Sequence, residues 1–246
     1  EHLTEALALA TTVGVHPTRC NILEDDESAF NVLCSLLSRR SELRIRSLGE
    51  FGLDYERLQF CPADIQRKWF ARQLDAFAEL APDLPLFLHL RGDAVQDFFD
   101  ILGPRRRHFT RGGVVHSFTG NVGDALRIVD ELDLCVGLNG CSLRTQEGLD
   151  VAAALPLDRI LVDSDAPYCD IRPSSPARAM VKYTVTAVPK ERYNASNNSN
   201  SIVKGRNEPL GARQVVEVIT AIKGQPLDLV ADAIFATSVR MFGNLN

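Results

Sequence analysis

The sequence predicts an α/β protein built on a parallel sheet covered by helices. Two observations carry this. Short apolar or β-rich runs alternate with longer stretches of helical period. The strand runs are also nearly continuous in apolar residues, as expected of strands buried on both faces. Six such strands in one series fit either a doubly wound sheet or most of an eight-stranded barrel. With 246 residues, the chain suffices for one large α/β domain or two small ones.

The strand candidates, in order, are Thr12–His16, Arg46–Glu50, Leu84–His89, Gly113–His116, Leu134–Asn139 and Ile160–Asp163. Between the first two, Ser28–Arg39 places Phe30, Leu33 and Leu37 on one helical face. Pro62 opens a helix over Ala63–Leu80, with Ile65, Trp69 and Phe77 on its apolar side. Asp93–Leu102, Val122–Leu132 and Gln146–Leu155 supply the next helices. The remainder reads as helical only. Leu210–Lys223 aligns Val215, Val218, Ile219 and Ile222 and stops at Gly224, and Pro226 opens a last helix reaching Phe242. The Asn/Ser-rich segment 190–205 reads as a polar surface loop within a single domain spanning 1–246. Glu1 is not an initiator Met, and His2 to Ala10 reads as the middle of an element, so further residues are expected upstream.

Composition narrows the function. The net charge of -5 argues against a large basic nucleic-acid face. It leaves room for phosphate chemistry if bound cations supply the positive charge. No apolar run approaches the roughly 18 residues of a membrane span. The six cysteines (Cys20, Cys34, Cys61, Cys135, Cys141 and Cys169) form no C-x-x-C pair and read as reduced thiols of a cytosolic or nuclear protein. Cys141 and Cys169 fall near the functional face, but neither has an assigned base.

The informative feature is the address of the titratable residues. His16, Glu50, His89 and His116 end the first four strand runs, and Asp165 follows the sixth. In parallel α/β folds the carboxyl ends of the strands share one face, and that face carries the active site. Each residue also has a plain structural reading. A strand-end His can be a hydrogen-bonded core residue, a Glu after Gly can cap the next segment, and Asp before Ala-Pro is ordinary turn chemistry. Gathered together, buried imidazoles and carboxylates would be left repelling or unsatisfied without a cation.

Five local motifs occur in order: Gly14-Val15-His16-Pro17, Gly49-Glu50-Phe51-Gly52-Leu53-Asp54-Tyr55, His89-Leu90-Arg91, His116-Ser117-Phe118-Thr119-Gly120 and Asp163-Ser164-Asp165-Ala166-Pro167-Tyr168. As an ordered set they resemble the TatD deoxyribonuclease family of amidohydrolase-like metal hydrolases. Pro17-Thr18-Arg19-Cys20, Leu58-Gln59-Phe60-Cys61-Pro62, Asn139-Gly140-Cys141-Ser142-Leu143 and Arg206-Asn207-Glu208-Pro209 resemble its eukaryotic branch.

The resemblance implies a TIM-like (β/α) barrel that lacks its first two strands here. It also implies a divalent-metal-dependent deoxyribonuclease, exonucleolytic in mode, acting on DNA. Glu50 would bridge two divalent metals (Mg, Mn or Zn), with His89 and His116 on one. Asp165 would ligate the other and orient or deprotonate the attacking water, making Asp165 and Glu50 the catalytic pair. Arg91 would clamp a phosphate or form a surface ion pair, and His16 would stand behind the ligands. Asp54 and Tyr55 could equally be structural. The family's opening His-x-His is absent, so one metal keeps only Glu50 and Asp165, and a chain without those two strands is expected to be unstable alone. Two alternatives stay open: a hydrolase of an ester or amide, such as an aminoacyl-tRNA linkage, and a non-catalytic homologue. No protein partner is implied.

Overall fold

The computed structural model describes residues 9–194 and 201–244. Among them, β1 (Thr11–Val13), β2 (Ile45–Asp54), β3 (Leu86–Arg91), β4 (Gly113–Val115), β5 (Cys135–Leu138) and β6 (Ile160–Val162) are neighbours in chain order in one sheet. The helices are α1 (Asn21–Asp25), α2 (Glu27–Ser38), α3 (Ala63–Leu80), α4 (Val95–Leu102), α5 (Val122–Asp130), α6 (Gln146–Ala154), α7 (Ala212–Lys223) and α8 (Leu227–Phe242). The contacts divide the chain into two compact units, residues 1–114 with 238–246, and residues 115–237.

In the first unit, β1, β2 and β3 pair in parallel, with Thr12 opposite Ser47 and Leu53 opposite Leu90. The helix α3 begins at Pro62, whose extended backbone precedes it as N-cap. Its buried stripe is Gln66, Trp69, Phe70, Gln73, Leu74 and Phe77, so the face is centred one residue beyond Ile65, which is only half-buried. Phe51 of β2 meets this stripe edge-on, its ring 5.6 Å from Phe70 and 5.3 Å from Phe77. Such aromatic pairs add about 0.5–1.5 kcal/mol to area burial. Phe30 of α2 packs on Trp69 at 5.2 Å, and Asp26 caps α2 by accepting from the Ser28 N–H.

Two polar members of the α3 stripe have structural work. The Gln66 amide accepts from the Asp54 N–H (2.7 Å) and donates to the Asp54 and Cys61 carbonyls. Gln73, seven positions on and therefore on the same face, accepts from the Val15 N–H (2.7 Å). One helix thus pins the carboxyl end of β2 and the segment leaving β1.

In the second unit, β5 and β6 pair in parallel, Val136 opposite Ile160. The helix α7 buries Val215, Val218 and Ile219 and ends at Gly224, whose φ of 61° is the left-handed conformation that glycine adopts freely. The same face carries Glu217, buried, whose carboxylate accepts from the Lys182 and Tyr183 N–H groups at 2.8 Å each.

Several expectations are corrected. The second strand does not end at Glu50. It runs on to Asp54, because Phe51 and Leu53 bury fully while Gly52 lets the chain pass the β3 backbone. The first strand stops at Val13, since His16 already caps a 3-10 turn at Pro17–Arg19. The C-terminal part is not helical only, because Thr186–Val188 (β7) and Ser201–Val203 (β8) pair in parallel. The latter occupies part of the expected 190–205 loop, of which 195–200 lies outside the described residues, as does 2–8 of the first expected element. The cysteines are not all reduced: Cys141 and Cys169 form a disulfide.

Candidate metal centre

Glu50 owes its placement to a bulge. Gly49 stands opposite Phe87 and Phe51 opposite Leu88, so Glu50 has no cross-strand partner and the register shifts there. Bulges of this kind re-aim side chains beside active sites. Glycine is required on both sides. Gly49 and Gly52 have φ of 150° and 148°, and a Cβ on either would strike the Phe87 or His89 carbonyl.

His89, two residues before the end of β3, is brought onto Glu50. Its Nδ1 lies 2.6 Å from Glu50 Oε1, and its Nε2 lies 3.2 Å from Asp54 Oδ2. His16 completes the group: its Nε2 lies 3.6 Å from Glu50 Oε1, and its ring meets that of His89 edge-on at 4.5 Å. One ligand atom from each of His16, Glu50 and His89 falls within 4.8 Å of the others, close enough for the group to hold one cation if His16 Nε2 gives up its proton.

The three are not equivalent. His16 Nδ1 accepts from the Thr18 N–H (3.2 Å) and faces the Thr18 hydroxyl (2.8 Å). In the neutral ring the proton then sits on Nε2, which faces Glu50 Oε1 at 3.6 Å, beyond direct hydrogen-bond reach. Burial, and then the charge of His89, holds the His16 pKa down to about 4. For His89, burial opposes protonation, but the hydrogen bonds to Asp54 and Glu50 prevail and raise its pKa. Asp54, fully buried, has its pKa lowered although burial alone would raise it, because His89 and Arg57 stabilise its charge. A carboxylate behind an imidazole whose other nitrogen faces the site is the usual support for a metal-binding histidine. The donor set, with a proton now bridging His89 and Glu50, suits a divalent cation of borderline character. Arg91 closes β3, and its carbonyl accepts from the Tyr55 N–H.

In the second unit, His116 follows β4 directly and is buried. The next residue, Ser117, has φ of 51°. Its N–H donates to Asp163 (3.3 Å), and the fully buried Asn139 amide donates to both Ser117 Oγ and Asp163 Oδ1 at 2.8 Å. This network ties the segments bearing His116 and Asp165. Asp165, three residues past β6, also has positive φ, 49°. Its loop is held by Asn207, whose N–H donates to the Pro167 carbonyl (3.0 Å) and whose amide donates to the Ser164 carbonyl (2.7 Å).

Of the five expected residues, then, the first unit gathers His16, Glu50 and His89, while His116 and Asp165 stand on cross-tied loops of the second. Sequence reasoning missed Asp54 as support for His89. Its place in the Gly49–Tyr55 motif was the signal, because the bulge at Glu50 breaks the strand alternation between the two. It also missed Gln66, Gln73, Asn139 and Asn207 as positioning residues, since a polar residue reads as solvated until a buried partner is seen.

A parallel α/β scaffold with imidazole and carboxylate groups on and just beyond its strands has the architecture of the metal-dependent hydrolase class. Comparison with known proteins makes this particular. The chain belongs to the TatD related DNase family, which matches residues 3–243. It is 38% identical to the deoxyribonuclease Tat-D of Schizosaccharomyces pombe over 98% of this chain and 79% of the relative. It is 31% identical to the 3'-5' ssDNA/RNA exonuclease TatD of Rahnella sp., covering 90% and 72%. A crystal structure of a TatD family hydrolase from Entamoeba histolytica superposes with a TM-score of 0.87 at 30% identity, covering 95% of this chain and 74% of that one. The fold is therefore the TIM-barrel metal-hydrolase type of these neighbours.

Proposed function

We propose that the chain is a divalent-metal-dependent deoxyribonuclease working as an exonuclease, with Glu50, His89, His116 and Asp165 as its protein ligands. The observation that carries this is the Glu50–His89 contact with Asp54 behind it. The names of the relatives, a deoxyribonuclease and a single-strand exonuclease, support a DNA substrate.

When bound, divalent ions lower the pKa of water from about 15.7 toward 7 and neutralise phosphate charge. The chain's own residues do the rest. Asp54 holds the His89 ring so that Nδ1 faces the site, and His16 stands beside Glu50 with its Nε2 3.6 Å from the carboxylate. Asp165, fixed by the Asn207 clamp, orients the attacking water and takes its proton. Arg91 is placed two residues beyond His89 to hold a phosphate oxygen with its forked guanidinium. A protein nucleophile is not needed, and the Cys141–Cys169 disulfide leaves neither sulfur free to serve as one in this state.

The test is hydrolysis of a fluorescent single-stranded oligodeoxynucleotide with added Mn²⁺ or Mg²⁺. Cleavage is expected to require the cation, to stop in excess EDTA and to fall at least about 100-fold in Glu50→Gln, comparable to losing one preorganised electrostatic contact. Undiminished cleavage in EDTA would rule the mechanism out.

A further inference from the structure

Cys141 lies three residues past β5 and Cys169 lies in the Asp165 loop, 28 residues later. Their sulfurs are bonded, with the Cα atoms 4.9 Å apart. Cys169 Sγ also lies 3.0 Å from Asp165 Oδ2. One sulfur cannot serve both partners. As a thiol it donates its proton to the carboxylate. As half of a disulfide it has none to donate.

The backbone is built for this approach. A Cβ on Gly140 would collide with the Cys169 carbonyl and the Asp170 backbone, so only glycine lets the two segments lie this close. The two Cα atoms therefore lie 4.9 Å apart, within disulfide reach. The other four cysteines are free, and Cys20, Cys61 and Cys135 are buried. Burial pushes the Cys20 thiol up to about 12 and raises that of Cys61, which removes the reactive thiolate from both.

We propose that Cys141 and Cys169 form a reversible oxidative modification site on the loop that carries Asp165, its oxidant a small disulfide such as glutathione disulfide. Cys141 is the more accessible of the two. Its thiolate attacks one sulfur of the oxidant, breaking that S–S bond and expelling one glutathione thiolate. Cys169 Sγ then gives up its proton and attacks Cys141 Sγ, expelling the second glutathione. Two thiols and one disulfide become one protein disulfide and two glutathione thiols, the two protons passing to the expelled thiolates. Asp165 Oδ2 thereby loses its thiol donor, and the loop is stapled to the segment after β5.

The test uses the whole chain equilibrated at glutathione to glutathione disulfide ratios from strongly reducing to strongly oxidising. Free thiols are alkylated after acid quenching, and linked peptides are read by mass. A single reversible transition joining Cys141 to Cys169 is expected, with Cys20, Cys61 and Cys135 alkylated at both extremes after denaturation. Amide exchange across 163–172 is expected to slow at least threefold in the oxidised form, and this difference is expected to vanish in Cys141→Ser. Mn²⁺ affinity is expected to rise at least threefold on oxidation, because Cys169 no longer donates to the Asp165 carboxylate. That last reading alone rests on Asp165 as a ligand. A redox transition with altered exchange but unchanged Mn²⁺ affinity supports the modification site and removes the ligand assignment. Absence of the linked peptide in excess glutathione disulfide overturns the proposal, as does a linkage that excess reduced glutathione leaves intact. A transition that leaves exchange unchanged overturns it too.

Discussion

Asp54→Asn is the sharpest probe of the site, because it changes one proton acceptor and almost no volume. In the wild type, Asp54 Oδ2 lies 3.2 Å from His89 Nε2 and the carboxylate is fully buried. Between full charges at 3.2 Å and an effective dielectric of about 20, the attraction is about 5 kcal/mol before desolvation is subtracted. With a cation on the other ring nitrogen the imidazole is neutral. What remains is a charge-assisted hydrogen bond of about 1.5–3 kcal/mol. Losing it is expected to weaken metal binding by about 10–100-fold, the usual cost of removing such a supporting carboxylate. The asparagine can still accept from the Glu56 N–H, which Asp54 Oδ1 now does at 3.1 Å, so the turn after β2 is expected to survive. Calorimetric titration with Mn²⁺ reads the affinity, and near-ultraviolet circular dichroism checks that the variant is folded. A folded Asp54→Asn protein that binds Mn²⁺ within twofold of wild type would refute the reasoning and reduce Asp54 to a structural residue.

Other substitutions test the scaffold and its charges. Phe51→Ala empties the centre of the aromatic cluster with Phe70 and Phe77, and urea melts are expected to show a loss of about 3–5 kcal/mol; a loss under 1 kcal/mol would deny that cluster its role. Gln73→Leu leaves the Val15 N–H without its acceptor and is expected to cost about 1–3 kcal/mol, with His16 displaced from Glu50; an unchanged melt counts against it. Because the His16 pKa falls from 6.5 to about 4 on folding, the unfolded chain binds more protons in that interval. Stability from this residue is therefore complete above about pH 6.5 and lost as pH falls toward 4, by up to about 3 kcal/mol. His89 has the opposite sign, contributing below its unfolded pKa and losing that contribution as pH rises through its raised folded value. Imidazole proton resonances followed by NMR in metal-free protein should separate the two, and a His16 midpoint at or above 6.5 would contradict the structure.

The fold was legible wherever apolar period and punctuation agreed. Pro62 and the spacing of Trp69 and Phe77 gave α3 its bounds, and Gly224 marked the end of α7, because chain stereochemistry acts locally at these positions. The strand ends were less legible. Glu50 looked terminal because a charged residue interrupts an apolar run, yet the interruption is a bulge and the strand resumes with Phe51 and Leu53. A bulge depends on what the neighbouring strand permits, here the Phe87 and His89 carbonyls against Gly49 and Gly52. The β7–β8 pair was invisible for a related reason: two three-residue strands with exposed or half-buried side chains leave no apolar signature. The disulfide was equally hidden, since a separation of 28 residues says nothing about proximity until two strand-following segments are set side by side.

The candidate site shows why its supporting residues escape a sequence reading while its ligand candidates do not. Ligand types are rare, and their recurrence after strand runs is a signal in itself. Positioning residues are ordinary amides and carboxylates whose meaning lies in a backbone group elsewhere. Gln66 fixes Asp54 at the end of β2, Asp54 fixes His89 on β3, and His89 meets Glu50. Gln73 fixes Val15, which precedes His16, and His16 faces the same Glu50 oxygen. Both chains of contact start two turns apart on α3 and end on the same carboxylate. The packing of that helix against Phe51 therefore sets the spacing of the site as well as the stability of the core. This predicts coupling. A double-mutant cycle between Phe51→Leu and Asp54→Asn, read by Mn²⁺ affinity, is expected to depart from additivity by at least 0.5 kcal/mol, as residues sharing a network do. Strict additivity would mean that the aromatic core and the candidate metal centre are built independently.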